Sequence, residues 1–439
     1  MLEQLNPPRR IYGYLLIALS LLITYGLWIF VLWREDSLYE SWLFYPAKVG
    51  SHGTLILMCW AFILSTRFRP VEKLFGGLDK VYQAHRLVGE TAFFLILLHP
   101  IFLALAFSAD PASFFRYLWF SDDWVRNTGI IALLAFVILV VLSIYFKIAY
   151  HKWKRSHDLF GLLLILVVVH GVMSGGEIIT YSLLTYWHTV WVTVGLSAYV
   201  YIRLLYRFFG PQYNYVAESV VERPDSIVDI ELAPAGRRMR HDPGQFLYIS
   251  MDADAVSEEP HPFSISSPPD SPTLRLSIKC LGDWTRSMNQ IKPGDRARVF
   301  GPYGHFSDAF FDHPKLPAVM IGGGIGITPI LSILHSQDLA RREGESLVIY
   351  SVVEREKAVY DAEIAASADA IPQVRYQAHY SKEEGYLNQE YLEKLLDQPL
   401  ANYLWLICGP SPMMTAMKRL LEKAKVPNRQ ILMEEFNIR

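Results

Sequence analysis

Four histidines stand as two pairs inside long apolar runs, and their type and spacing point to metal chemistry. His85 and His99 enclose the run HRLVGETAFFLILLH, and His157 and His170 enclose HDLFGLLLILVVVH. An ionisable side chain is costly at membrane depth, so it marks a functional site. Two neutral imidazoles can hold a haem iron from opposite sides through ring nitrogens. Because an α-helix rises about 1.5 Å per residue, each pair spans roughly 20 Å, which predicts two haems, one near each membrane face.

Helical periodicity supports the two pairs unequally. On an ideal helix His99 returns to within about 40° of the face of His85, whereas His170 lies about 140° from that of His157. The second pair therefore requires a helix distortion or divergent side-chain rotamers. A single histidine in a membrane helix is often only packed or hydrogen-bonded to a neighbour, and this alternative is much weaker for two pairs. Three further histidines fall at predicted helix ends, where we expect interfacial solvation: His52, His151 and His188.

The composition divides the chain into an apolar half and a soluble half. Of 439 residues, 52% are hydrophobic and 19% charged, and the apolar excess lies in residues 1–210. The formal net charge of −2 argues against a nucleic-acid partner, which requires a basic footprint. Cys59, Cys280 and Cys408 have neither metal-ligand spacing nor a disulfide pattern, as expected in a reducing cytoplasm.

Six apolar stretches predict a transmembrane bundle, at roughly 11–33, 49–66, 84–107, 128–146, 158–174 and 186–209. The first follows Arg9 and Arg10 but lacks a small-residue cleavage site, so we expect a retained anchor rather than a signal peptide. Basic residues cluster in the loops on one side of the bundle, and the opposite loops are acidic or neutral. The positive-inside tendency predicts that the C-terminal half is cytoplasmic. We expect an integral protein of a bacterial inner or plasma membrane. The first histidine of each pair then lies near the inner face and the second near the outer face.

The histidine spacing resembles that of a known family. Thirteen residues between His85 and His99 and twelve between His157 and His170 are similar to the transmembrane domain of NADPH oxidases. Ferric-chelate reductases of the same superfamily more often have thirteen in both. The resemblance implies a six-helix bundle with two b-type haems, ligated by His85 with His157 and by His99 with His170. Arg86 would then pair with a haem propionate, and an arginine that extends to the interface is an equal alternative.

After residue 210, short alternating apolar runs predict an antiparallel β-barrel over residues 211–312. Two motifs within it carry chemistry, HPFSISS at 261–267 and KCLGDWT at 279–285. A Pro-Phe-Ser strand edge offers backbone groups and hydroxyls to a flat heterocycle, and Gly282 with Thr285 allows close approach to a pyrophosphate. For either motif alone, an ordinary strand and turn is an equal alternative. We expect His241 and His305 to be surface residues.

In this order the two motifs resemble the FAD-binding barrel of the ferredoxin–NADP reductase superfamily, in the form that NADPH oxidases use. There the HPFS segment lines the isoalloxazine ring, and the GDWT segment lies near the diphosphate. The resemblance implies FAD as a cofactor. The implied flavin contacts are His261, Pro262, Phe263, Ser264, Ser266, Ser267, Lys279, Gly282, Trp284 and Thr285.

Residues 313–439 predict an α/β domain with a parallel sheet covered on both faces. One buried strand leads into GGGIGITP at 322–329, and another leads into CGPSPM at 408–413. A glycine-rich turn between strand and helix brings backbone amides to a phosphate, although a plain tight turn is the alternative. The motifs resemble the NAD(P)H domain of the same superfamily, which implies NADPH or NADH as electron donor. The implied contacts are Gly322, Gly323, Gly324, Gly326, Thr328, Pro329, Cys408, Gly409 and Pro410.

Three residues have more specific predicted roles. Cys408 would border the nicotinamide as a catalytic residue. Phe436 resembles the aromatic residue near the end of family members and would cover the flavin where nicotinamide must stack; a core phenylalanine is the alternative. Arg355, just past the strand VIYSVV, is a candidate for the 2′-phosphate of NADPH, because a guanidinium forks onto phosphate. A solvated loop charge explains Arg355 equally well.

The resemblance covers nearly the entire chain and implies a flavohaem oxidoreductase that passes electrons from NAD(P)H through FAD and two haems to an acceptor beyond the membrane. The histidine spacing favours O2, giving superoxide. A ferric or cupric chelate is the alternative, because Leu103 replaces a histidine of some oxidases and Lys48 stands where several relatives have arginine. A membrane-anchored flavin reductase and a relay to a periplasmic protein are further alternatives. No EF-hand or subunit-docking tail is recognisable, so we expect activity without a regulatory subunit.

Overall fold

A computed structural model describes residues 10–39, 41–108, 110–146, 150–253, 256 and 258–434. The chain forms two compact units, and the boundary between them lies between Phe208 and Phe209. The first unit holds the paired histidines, and the second holds the barrel and nucleotide motifs.

All the regular secondary structure in the described residues of the first unit is helical. Its helices are α1 (Arg10–Arg34), α2 (Phe44–Ser65), α3 (Arg69–Phe75), α4 (Leu78–Phe107), α5 (Pro111–Tyr117), α6 (Trp124–Ile144), α7 (Tyr150–Asp158), α8 (Phe160–Met173), α9 (Glu177–Thr180), α10 (Ser182–Val200) and α11 (Tyr206–Phe209), with a π-helical turn at Tyr201–Leu205.

Five helices among the described residues are long and apolar enough to cross a membrane. They are Ile11–Arg34, Phe44–Ser65, Leu78–Phe107, Trp124–Ile144 and Lys152–Met173. The prediction of apolar spanning helices is therefore confirmed for five of six stretches. The sixth, α10, is less apolar because Ser, Thr, Tyr and His side chains interrupt it.

Glycines let α2 lie close to its neighbours in the first unit. A Cβ atom at Gly50 would stand 2.5 Å from the carbonyl oxygen of Leu95 on α4, and one at Gly195 on α10 would stand 3.0 Å from Sγ of Cys59. Small residues at such crossings let helix backbones approach, which is how apolar helices associate in a membrane. The close crossing of α2 and α4 lets the histidines of α4 reach backbone carbonyls of α2.

The helix that carries the second histidine pair is interrupted. α7 ends at Asp158 and α8 begins at Phe160, and Leu159 donates its backbone N–H to Ser156, three residues back. Such a bond belongs to the tighter 3₁₀ turn, which changes the angular spacing along the helix. A helix distortion, one of the two ways to bring His157 and His170 to the same face, is therefore present between these two residues.

Two histidines that we placed at a solvated interface are buried instead. His52 on α2 and His188 on α10 are each 1% exposed. Nδ1 of His52 lies 3.0 Å from Nε2 of His188, and Nδ1 of His188 lies 2.8 Å from the carbonyl oxygen of Leu184. The expectation of interfacial solvation is wrong for this pair, because the two rings are buried and hydrogen-bond to each other inside the bundle. The side chain of His151 lies outside the described residues.

The second unit begins with the predicted antiparallel barrel. Its strands are β1 (Gln212–Arg223), β2 (Ile227–Pro234), β3 (Phe246–Asp252), β4 (His261–Ser264), β5 (Leu274–Lys279) and β6 (Arg296–Tyr303), in the order β4-β3-β6-β1-β2-β5. A bridge between Ile265 and Leu276 joins the two edge strands, which closes the sheet around an apolar core. His241 is buried rather than exposed, and burial lowers its pKa to about 4. His305 is partly exposed and pairs with Asp308 at 2.7 Å.

The remaining residues form the predicted α/β domain. Its parallel strands are β7 (Ala318–Gly323), β8 (Ser346–Val352), β9 (Val374–Tyr380), β10 (Leu404–Cys408) and β11 (Ile431–Met433), in the order β11-β10-β7-β8-β9. The helices of this unit are α12 (Asp283–Arg286), α13 (Asp308–Asp312), α14 (Thr328–Leu334), α15 (Asp361–Ala370), α16 (Ser381–Glu384), α17 (Gln389–Leu395) and α18 (Ser411–Lys423). Separate apolar clusters cover the two faces of the sheet, as predicted.

Candidate functional site

The two histidines of α4 are oriented by backbone carbonyls of α2. Nδ1 of His85 lies 2.9 Å from the carbonyl oxygen of Ala61, and Nδ1 of His99 lies 3.0 Å from that of Ala47. A carbonyl only accepts hydrogen bonds, so each Nδ1 carries the proton. The lone pair of each neutral ring is therefore on Nε2, the arrangement that metal-bound histidines adopt.

Groups of α6 orient the other two histidines, a backbone carbonyl and a hydroxyl at His170 and a hydroxyl at His157. Nδ1 of His170 lies 3.1 Å from the carbonyl oxygen of Val125 and 3.1 Å from the hydroxyl of Thr128. Nδ1 of His157 lies 3.1 Å from the hydroxyl of Ser143. A Cβ atom at Gly129 would stand 2.7 Å from Cε1 of His170, so this glycine makes room for the ring. Each helix that carries histidines thus lies beside a helix that orients them.

The structure brings the predicted inner pair together. The ring centres of His85 and His157 are 5.9 Å apart. Metal–imidazole bonds of about 2 Å on opposite sides of one ion would place two ring centres roughly 6 Å apart. Within the described ranges, no group of three or more His, Cys, Asp or Glu side chains could hold a metal ion. Two imidazoles without further protein ligands fit haem, whose macrocycle supplies the remaining four nitrogens.

Charged residues near the histidines are paired. Lys48, next to Ala47, binds Glu177 with Nζ and Oε2 2.6 Å apart. Arg86 binds Glu90 at 2.8 Å and is mostly exposed, which fits an arginine that extends toward solvent. Leu103 is on α4, as the sequence indicates.

The predicted flavin residues form an aromatic group at the edge of the barrel. The ring of Trp284 stacks on His261, with ring centres 4.2 Å apart, and lies nearly parallel to Phe263 at 5.7 Å. β4 supplies two of these rings, and α12 supplies the third. Flat rings in a stack match the shape and polarisability of an isoalloxazine, so the group is suited to hold a flavin.

The other predicted flavin residues differ in their surroundings. Ser266 is fully buried and its hydroxyl bonds to the carbonyl of Arg275, while the hydroxyl of Ser267 accepts from the Arg275 N–H. These hydroxyls hold β5, and their contacts with the flavin stay a prediction. The hydroxyl of Thr285 accepts from the Gly282 N–H at 2.9 Å and shapes the turn. Ser264 is buried at the end of β4, after Pro262, and Lys279 pairs with Asp225 at 2.6 Å.

Replacing Trp284 by alanine is expected to lower flavin retention about 10-fold or more, because the variant loses the ring that stacks on His261 and Phe263. Flavin absorbance per protein after gel filtration measures this. Trp284→Phe keeps a flat ring and should retain most of the flavin. Equal retention by the alanine variant and the wild type would show that Trp284 is not a flavin contact.

The nucleotide motifs meet at the carboxyl ends of two neighbouring strands. After β9 the chain returns to the other side of β7 to form β10, so the strand order reverses between β7 and β10. Open parallel sheets bind ligands in the crevice at such a switch point. A Cβ atom at Gly326 would stand 2.5 Å from the carbonyl oxygen of Cys408, and one at Gly323 would stand 2.6 Å from Sδ of Met413. Close backbone approach therefore forms this crevice. Gly324 has a φ of +53°, and Thr328 and Pro329 begin α14.

Cys408 lies at the bottom of this crevice as a neutral thiol. It is 2% exposed, and burial, with a smaller contribution from Glu434, raises its pKa well above the usual range. It can therefore contact a ligand by packing and as a weak donor, without acting as a thiolate. Gly409 and Pro410 follow it and lead into α18.

Arg355 is exposed after β8, and its guanidinium carbon lies 5.1 Å from the ring centre of Tyr380. Phe436 lies outside the described residues.

A polar network joins the barrel to the nucleotide domain, and no sequence pattern predicted it. The hydroxyl of Tyr360 donates a hydrogen bond to Oδ1 of Asp229 at 2.8 Å, and both side chains are at most 3% exposed. Arg275 binds Glu363 at 2.6 Å, and Ser332 donates to the carbonyl of Ser267 at 2.8 Å. These bonds fix the nucleotide crevice relative to the barrel. The residues are far apart in sequence, and of them only Ser267, which acts through its backbone carbonyl, belongs to a motif.

Comparisons with known proteins identify three consecutive domains. Residues 51–168 match the ferric reductase like transmembrane component, residues 212–307 match an FAD-binding domain, and residues 320–419 match an oxidoreductase NAD-binding domain. The chain is 27% identical to NADPH oxidase 1 of Mus musculus over 246 residues, 48% of this chain and 41% of that protein. It is 26% identical to dual oxidase 1 of Homo sapiens over 337 residues, 67% of this chain and 20% of that protein.

A solved structure shares the fold. The crystal structure of flavohemoglobin from Malassezia yamatoensis with bound FAD and heme has a TM-score of 0.52 and 19% identity, and the match covers 90% of this chain and 96% of that one. At this identity the likeness concerns the fold alone. The chain spans less than half the length of the two oxidases that it resembles. The three matched domains and the similarity to these oxidases show that the chain is an oxidoreductase that combines a ferric reductase-like transmembrane domain with FAD-binding and NAD-binding domains, and that it is similar to NADPH oxidases.

Proposed function

We propose that this protein transfers electrons from cytoplasmic NAD(P)H, through FAD and two b-type haems, to an acceptor on the far side of the membrane, with O2 as the favoured acceptor and superoxide as product. The observation that carries this proposal is the set of four histidines whose Nδ1 atoms are all engaged, which leaves each Nε2 for a metal. FAD, when bound, accepts a hydride and can release its electrons singly, and haem carries one electron.

The residues of the second unit bind and orient the donor. The switch-point crevice between β7 and β10 receives the pyrophosphate of NAD(P)H on backbone amides of residues 322–328. Cys408 packs beside the nicotinamide, and Phe436 covers the flavin until nicotinamide displaces it. Arg355 is exposed just after β8, and a guanidinium forks onto phosphate, so we assign it to the 2′-phosphate and propose a preference for NADPH.

The helices of the first unit hold the two haems and exclude water. His85 with His157 ligates the inner haem, and His99 with His170 ligates the outer one. Six helices cross the membrane, with α10 as the sixth. The excess of basic residues in the loops on one side supports a cytoplasmic location for the flavin and nucleotide domains, in a bacterial cell. The proposed activity requires no regulatory subunit.

The surroundings of the outer histidine support a neutral acceptor. Lys48 is the cation next to Ala47, whose carbonyl holds His99, and Glu177 neutralises it at 2.6 Å. An ion pair has little attraction for an anion compared with a free ammonium group. The outer site is therefore poorly suited to recruit anionic ferric chelates, and O2 needs no such attraction.

The purified protein in proteoliposomes tests the proposal. A reduced-minus-oxidised spectrum should show b-type haem, and NADPH should drive superoxide production that superoxide dismutase suppresses. Faster reduction of ferric citrate than of O2 would assign the protein as a metalloreductase. Flavin without haem would assign it as a membrane-anchored flavin reductase. Haem without reduction of either acceptor would favour a relay to a protein partner.

A further inference from the structure

His157 is supported differently from the other three paired histidines. A backbone carbonyl lies within hydrogen-bond distance of Nδ1 in His85, His99 and His170. At His157 the partner is a side-chain hydroxyl, that of Ser143, at 3.1 Å. This histidine therefore depends on a residue that substitution can remove.

The hydrogen bonds of Ser143 fix the direction of its bond to His157. The hydroxyl of Ser143 lies 2.7 Å from the carbonyl oxygen of Leu139, and a carbonyl can only accept. The single hydroxyl proton of Ser143 is thus given to Leu139. The bond to the imidazole must then run from Nδ1–H of His157 to the Ser143 oxygen, which leaves the lone pair on Nε2.

Ser143 also acts on His157 through its backbone. Its carbonyl accepts the indole N–H of Trp153 at 3.2 Å. The Trp153 ring stacks on the His157 ring with centres 5.0 Å apart and an angle of 16°, and Phe160 meets the imidazole edge-on at 5.0 Å. One residue near the end of α6 thereby holds both the imidazole and the ring that packs against it, just before the helix interruption at Leu159.

We propose that Ser143 is the positioning residue of the inner haem: its hydroxyl sets the tautomer and orientation of His157 and tunes how strongly this imidazole donates to iron. The proposal rests on haem ligation by His85 and His157. A hydrogen bond from Nδ1–H makes an imidazole a stronger donor ligand, and its loss typically costs about 10- to 100-fold in metal affinity or activity. Weaker donation also favours ferrous over ferric iron, so the reduction potential of the affected haem rises.

Thr128 provides a matched control. Its hydroxyl lies 3.1 Å from Nδ1 of His170, at the same distance as Ser143 from His157. His170 keeps the carbonyl of Val125 as a partner when the Thr128 hydroxyl is removed, whereas His157 has no backbone partner within the described part of the chain. Thr128→Val and Ser143→Ala therefore remove equivalent hydroxyls with different consequences.

The test is haem stoichiometry and a potentiometric titration of the full-length protein, followed by optical absorbance. In Ser143→Ala one of the two haem components should titrate at a higher potential and dissociate at least about 10-fold more readily, while the other component is unchanged. Ser143→Thr keeps an acceptor oxygen and should restore wild-type behaviour. Ser143→Cys, nearly the same size with a weak acceptor, should shift in the same direction as alanine. Thr128→Val should shift the potential much less than Ser143→Ala does, because His170 keeps the carbonyl of Val125.

The outcomes separate this inference from the proposed function. If the wild type holds two haems and Ser143→Ala titrates identically, the role of Ser143 is wrong although haem ligation stands. Equal shifts in Ser143→Ala and Thr128→Val would also overturn it, because a general loosening of α6 would explain both. A wild-type protein without haem would overturn the proposed function itself.

Discussion

His99→Ala is expected to remove one of the two haem b components and to lower NADPH-driven electron transfer across the membrane by on the order of 100-fold or more. The Nδ1 atom of His99 is held by the carbonyl of Ala47, which leaves the Nε2 lone pair for the proposed outer haem. Alanine offers no ligand, and an iron with one axial imidazole is held far less tightly. Haem per protein should fall from two toward one, as measured by the pyridine haemochrome assay.

Flavin reduction distinguishes this loss from general misfolding. NADPH should still reduce the flavin of His99→Ala at the wild-type rate, because the donor site lies in the other unit. His188→Gln is the matched control, since His188 is also a buried histidine of the helical unit, bonded to His52 rather than paired across the proposed haem sites. It should retain both haems. If His99→Ala keeps two haems and full turnover, His99 is not an axial ligand.

The histidine pairs and most of the helices could be predicted from the sequence because both depend on local patterns. Apolar length predicts a spanning helix, and an ionisable residue inside it is rare enough to mark a site. The spacing between His157 and His170 also predicted either a helix distortion or divergent side-chain rotamers, and the helix is interrupted at Leu159. The haem itself stays a proposal.

The groups that orient these histidines could not be predicted. Ala47 and Ala61 act through backbone carbonyls, so their side chains carry no sign of the role. Ser143 looks like any serine in a membrane helix. The burial of His52 against His188 depends on how α2 and α10 are rotated relative to each other, and weak amphipathicity in a membrane leaves that rotation undetermined by sequence.

In the second unit, the sequence predicted the glycine-rich turn but not the strand pairing that places it. The glycine-rich motif after β7 indicated a phosphate-binding turn, but not which backbone it approaches. Tertiary structure supplies that information: the Cys408 turn lies against Gly326 because β10 pairs with β7. The same pairing explains why two motifs more than eighty residues apart form one crevice.

Gly326→Ala should therefore abolish productive NAD(P)H binding while leaving the flavin site and the haem sites intact. The added Cβ would stand 2.5 Å from the carbonyl oxygen of Cys408 and 2.6 Å from Cα of Gly409, and backbone atoms cannot rotate away as a side chain can. The two turns must separate by about 1 Å, a misplacement that can cost on the order of 100-fold in rate. Stopped-flow reduction of the flavin by NADPH measures the loss. Gly236→Ala, where nothing lies within 4 Å of the new Cβ, should react like the wild type, and equal rates for both variants would show that the crevice is not the donor site.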